Sequence, residues 1–284
     1  MNLNIETPVM GLEQMAQVIS LESNFIDNAL FRINEFLPKL GNRLKDTVDS
    51  FATDSFGSYD GPKITAVQTQ RDFKVISKRV YSHNFLDFQD VLVQVPEGFE
   101  GNILDYLKLL NRIHLDIFKE ALEVIGDYNV VLSSFITNKE DKNSLRVHSQ
   151  IYERADAKRE QVLKDLSGFF KDGSDLSRLP LRKVVSRFAD LELVAEEAVT
   201  LTKDNHIKNL EKVKSGITET LIYLDKITSN KEITQVSGSS AKQLAESAMS
   251  VARLVEACSV YAYKVRQAIE SNRAIVDTLD KVTK

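Results

Sequence analysis

The chain has 284 residues, 43% of them hydrophobic, with 11 Gly, 5 Pro and no Trp, which excludes a disordered polymer and disfavours a turn-rich β fold. Its 41 acidic and 37 basic side chains leave a formal charge of −4, so no global field holds it on nucleic acid or an anionic membrane.

From Gly11 onward, Leu12, Met15, Ile19, Ile26, Ala29, Ile33, Phe36 and Leu40 keep helical spacing, with Glu22 interrupting the seam. Pro38 and Gly41 are expected to kink or end this helix, because proline removes a backbone donor and clashes with the preceding turn. Leu44, Val48 and Phe51 continue it briefly, and FATDSFGSYDGP, closing on Gly61 and Pro62, reads as a loop. Over residues 63–96 the pattern changes. Ile64, Ala66 and Gln68 alternate with polar neighbours, and Val91, Val93 and Val95 stand at β spacing before a turn at Pro96 to Gly98. A small β-hairpin or extended pair is predicted there, while Phe73, Val75, Ile76, Val80 and Phe85 between them fit helix or strand.

Ile103, Leu107, Leu110, His114, Ile117, Ala121, Val124, Tyr128, Val131 and Phe135 follow one another at alternating steps of four and three, a single seam along a helix. With Asn102 as N-cap and Asp105 in the first turn, the segment predicts a helix about 50 Å long at 1.5 Å per residue. After the polar connector TNKEDKNS, Leu145, Tyr152, Ala155, Val162, Leu166 and Phe169 mark another helix, sharing its face with His148 and Arg159 and capped by Gly173. Pro180 suits the first turn of a further helix through Val184, Phe188, Leu191, Ala195 and Ala198. Polar residues at 203–206 break it before Leu210, Val213, Ile217, Leu221, Leu224 and Ile227 resume. Beyond SNKEITQVSGSS, a capping box at Ser240 to Gln243 opens the last helix. Its seam runs Leu244, Ala248, Val251, Val255, Cys258, Ala262, Val265, Ile269, Asn272, Val276 and Leu279.

The expected fold is mainly α: an elongated bundle of long antiparallel helices with a small β-hairpin or extended insertion near residues 63–96. It is read as one elongated domain over 1–284, with 63–100 as a mixed insertion and a sub-boundary near 137–144. The start of the chain lacks the charged and apolar regions of a secretory signal, and no run approaches the roughly 18 apolar residues of a membrane span. Synthesis in a reducing cytoplasm is therefore expected, in keeping with the lone Cys258, which supports neither an internal disulfide nor a multi-thiolate zinc site.

Catalytic signatures are missing: no GxxxxGKS/T phosphate loop, GxGxxG, GxSxG or HExxH is found. His83, His114, His148 and His206 follow Val80, Asn111, Leu145 and Lys203 at i−3, so none supplies the ExxH pair of a di-metal carboxylate bundle. The expectation is a non-enzyme with no cofactor and no metal. His114, polar within the main seam, reads as a metal ligand, a pH-sensitive register device or, favoured over both, a buried histidine hydrogen-bonded to a neighbour. Asn272 carries the same choice between fixing register and sitting near a partly exposed helix end. Cys258 is read as a core residue.

Two basic clusters stand out. Arg71, Lys74, Lys78 and Arg79, followed by Tyr81 and Phe85, resemble a nucleic-acid patch with aromatic interleaving; Arg178, Arg182, Lys183 and Arg187 form the second. Asp72, Asp87 and Asp90 near the first, and Asp190, Glu192, Glu196 and Glu197 after the second, favour solvated faces or contacts to an acidic partner over nucleic acid.

The N-terminal stretch MNLNIETPVMGLEQMAQVISLE, followed by helices and a small valine-rich element, resembles virion or internal head proteins of large tailed bacteriophages. The resemblance covers about the first fifty residues and the overall plan, and implies a component packaged inside the phage head or attached to it. The functional expectation is a non-enzymatic structural or assembly protein, made in the cytoplasm, whose partners are copies of itself or other structural proteins. Two alternatives stand beside it: a helical binding or membrane-active module, and an enzyme with a site in residues 63–101.

Overall fold

The computed structural model describes residues 30–32, most of 38–49, and 60–137, 144–167, 176–230 and 235–284. The elements in chain order are β1 (Leu30–Arg32), α1 (Asp60–Val80), β2 (Leu92–Pro96), α2 (Ile103–Ile136), α3 (Ser144–Ser167), β3 (Leu176–Pro180), α4 (Phe188–Leu201), α5 (Asp204–Ser229), β4 (Gln235–Ser237) and α6 (Gly238–Val282). The fold is mainly α, with two small antiparallel pairs, β1 with β4 and β2 with β3.

Helices α2 and α6 form the spine. At 34 and 45 residues they extend about 50 and 70 Å. They run antiparallel: Tyr128 Oη donates to the Leu244 carbonyl at 3.2 Å, and His114 lies against Tyr261. The expected cap is present, Asn102 Oδ1 accepting from the Leu104 N–H at 2.8 Å, with Asp105 in the first turn. Helix α6 is buried almost all round, only Arg266 and Glu270 being exposed between residues 243 and 280. The seam read in the sequence is thus part of a wider buried surface, and a stripe through Glu246, Arg253, Glu256, Tyr263, Arg266, Glu270 and Asp277 stays half-buried or exposed. Ala245, Ala248, Ala252, Ala257 and Ala262 are all buried on it and let its neighbours approach closely.

The other helices cover this spine in two halves. Helix α3 returns antiparallel to α2, Arg154 meeting Glu120 at 2.6 Å, Asp127 at 3.2 Å and Glu123, and Arg253 of α6 meets its Asp156 at 3.6 Å. Helix α5 runs parallel to the same half of α2, bonded through Asn129 and Thr220. Helices α1 and α4 cover the other half. Arg273 and Arg79 tie α1 to α6 through Asp72 and Asp280, and Asn111 Nδ2 donates to the Glu197 carboxylate between α2 and α4. The expected break at 203–206 is real but short: α4 ends at Leu201 and α5 starts at Asp204, so the two form one interrupted ridge along α2.

Several local expectations are corrected. Residues 60–80 are a helix, because Ala66, Thr69, Phe73, Ile76 and Val80 follow steps of three and four and are all buried, whereas Ile64 is 68% exposed. Gly61 and Pro62 open this helix instead of ending a loop, proline being tolerated in a first turn. The valine-rich strand is present, but its partner is not local: Leu92 pairs with Pro180 and Pro96 with Leu176. Pro180 therefore ends a strand and precedes a 3-10 turn at Leu181–Lys183, and the helix begins only at Phe188. The stretch read as helix through Ala29 and Ile33 contains strand β1, held by β4 inside the supposed connector before α6, and α6 starts at Gly238, ahead of the expected capping box. Pro38 and Gly41 lie within a helical run with Leu40 and Leu44 fully buried. The Gly173 cap, Phe169 and the helix start at Gly11 fall outside the described residues.

Candidate functional site

The seam histidine sits where the two halves of the bundle meet. His114 is fully buried on α2, and its ring stacks on that of His206 from the first turn of α5, with centroids 3.7 Å apart and planes inclined by 24°. A 3.2 Å hydrogen bond joins His114 Nδ1 to Tyr261 Oη on α6, and Phe118, one turn along α2, packs against both rings of that bond. Three helices thus bring His114 with Phe118, His206 and Tyr261 to a point near the α4–α5 break, where His206 N–H donates to the Lys203 carbonyl at 2.9 Å.

Two ring nitrogens here, His114 Nε2 and His206 Nδ1, are buried with no hydrogen-bond partner among the described residues. Burial, and secondarily the neighbouring His206, pushes His114 down to about 3; burial followed by the Lys203 charge lowers His206. The pair is accordingly neutral at pH 7. The stacked rings hold their nitrogens in nearly parallel planes and do not converge on a point between them. Among the described residues no group of three or more His, Cys, Asp or Glu side chains is placed to hold a metal ion.

Asn272 lies deep in the bundle on α6, 1% exposed, with neither amide atom hydrogen-bonded among the described residues. Cys258, one turn before Tyr261, is fully buried, and burial raises its thiol pKa, which opposes thiolate formation.

The structure separates the basic residues by their engagements. Arg71, Lys74 and Lys78 are exposed on the outer side of α1, whereas Arg79 pairs with Asp280 at 2.9 Å. Arg178 is exposed on β3 and Lys183 in the turn after it; Arg182 pairs with Asp90 at 2.5 Å and Arg187 with Asp190 at 2.9 Å. Of the aromatic residues after the first cluster, Tyr81 is exposed at the end of α1, whereas Phe85 packs edge-on against Phe188, 5.1 Å between centroids.

His206 and Tyr261 are the site residues that sequence reasoning missed. His206 was visible as the position four before Leu210 on the α5 seam, although its polar neighbours mark a break. Tyr261 adjoins the Ala262 seam position and gains significance only because α6 is buried on several faces. Among the described residues, no helix is long and apolar enough to cross a membrane. The chain matches no family model, no curated protein and no solved structure.

Proposed function

We propose that this chain is a non-enzymatic structural or assembly protein, acting through helix-mediated contacts with copies of itself or with other structural proteins, and that its setting is the particle of a tailed bacteriophage. The observation that carries the assembly reading is the two-helix spine, α2 and α6, which gives a long bundle with a large lateral surface for its mass. The phage setting rests on the resemblance of the N-terminal stretch and the overall plan.

Exposed apolar side chains along the flanks support lateral contact: Leu115 and Val130 on α2 are 65% and 64% exposed. The test is light scattering coupled to small-angle X-ray scattering on the purified chain over a range of concentrations. A discrete oligomer or concentration-dependent growth is expected. A monomer at every concentration would remove self-assembly and leave only a foreign structural partner.

A further inference from the structure

Helices α1 and α4 lie side by side and antiparallel on one flank of the bundle. Lys63 near the start of α1 pairs at 2.8 Å with Asp204 just beyond α4, while Tyr81 at the other end feels the charges of Glu192 and Asp190. Between these ends, Arg71, Lys74 and Lys78 stand exposed on α1, and Glu192 and Glu196 stand exposed on α4. None of these five makes an ion pair among the described residues. Val75, 68% exposed, sits within the basic stripe.

Counting around each helix from its buried positions places Lys74 on the side of α1 that carries Lys63 and Tyr81, toward α4, with Lys78 and Arg71 turned progressively outward; on α4, Glu192 lies on the side away from Glu197, which meets α2, and Glu196 turns outward. The flank therefore carries two parallel stripes of opposite sign. A two-fold axis lying along the groove between them sets α1 of each copy over α4 of the other, so that every stripe meets its opposite. Such a surface is complementary to itself, the requirement for a closed isologous dimer. An acidic foreign partner would match α1 but meet like charge on α4.

We infer that the α1–α4 flank is a self-complementary docking surface for a second copy of this chain, with Arg71, Lys74 and Lys78 of one copy facing Glu192 and Glu196 of the other. The inference rests on the assembly reading above and names the surface through which self-association runs. Charge pairs at an interface set orientation and association rate, and they weaken as salt rises.

The experiment is sedimentation velocity on the wild type, on Arg71→Glu/Lys74→Glu/Lys78→Glu, on Glu192→Lys/Glu196→Lys, and on an equimolar mixture of the two variants. All five positions are exposed, and circular dichroism melts verify that each variant folds. The expected result is a wild-type dimer whose dissociation constant rises at least about tenfold between 0.05 and 0.5 M salt. Each variant alone is expected to be monomeric, and the mixture to regain a dimer. Assembly that both variants retain would overturn this surface while leaving the assembly reading intact. A wild type that stays monomeric under all conditions would overturn the surface and self-assembly together.

Discussion

The Thr220 hydroxyl donates to the Asn129 amide oxygen at 2.6 Å inside the contact between α2 and α5. Asn129 Nδ2 donates in turn to the Gly216 carbonyl at 3.2 Å, which also lies 3.1 Å from the Thr220 hydroxyl. Thr220→Val leaves the Asn129 oxygen without its donor in a buried place, a loss of about 1 to 3 kcal/mol. Asn129→Leu then costs less in the valine background than in the wild type, because its buried oxygen is already unsatisfied. Urea melts of the four proteins in a double-mutant cycle measure this coupling.

The two glycines in this region meet different surroundings. A Cβ at Gly126 on α2 meets nothing within 4 Å, whereas one at Gly216 on α5 would lie 3.0 Å from Ile125 Cγ2. Gly126→Ala is expected to stabilise the fold by about 0.5 to 1 kcal/mol through helix propensity. Gly216→Ala gains the same propensity but forces the Ile125 side chain to give by a few tenths of an ångström, so its melting midpoint should fall below that of Gly126→Ala. Equal midpoints would show that Ile125 yields without cost.

Acid should loosen the bundle at its middle. Both histidines of the stacked pair have folded-state pKa values below the ordinary value, so the unfolded chain binds protons there that the folded chain does not. Their contribution leaves stability intact above about pH 6.5 and subtracts from it as pH falls below that value, for His114 by up to about 1.4 kcal/mol per pH unit, with His206 adding a loss of the same sign. For His114 the loss continues down to about 3. Tyr261 meets His114 through its hydroxyl, Lys203 opposes protonation, and the carboxylates Glu197 and Asp204 are engaged with Asn111 and Lys63. Unfolding free energies measured by urea between pH 7.5 and 5.5 should therefore decline, and the decline should shrink in His114→Phe/His206→Phe.

Much of the helical plan is legible in local sequence, and the failures are instructive. Helix α2 was readable because ten seam positions and the Asn102 cap agree. Residues 63–80 misled because Ile64, Ala66 and Gln68 mimic a strand, although the buried positions from Ala66 to Val80 keep helical steps. Of the polar seam residues, His114 gained a stacked neighbour and a hydrogen bond, whereas Asn272 is buried with neither amide atom hydrogen-bonded among the described residues, and nothing in their own segments distinguishes the two. The basic clusters were visible as runs of charge, but which members stay exposed depended on carboxylates such as Asp90 and Asp280.

The sequence by itself determined where most helices lie and which faces they bury, since apolar spacing and capping act over a few residues and report backbone geometry directly. Only the tertiary structure decided that β2 pairs with β3, that α6 is buried well beyond its apolar seam, and that His206 and Tyr261 join His114. Those contacts link residues far apart in the chain, 147 positions in the case of His114 and Tyr261, and depend on how whole helices stack to fill space.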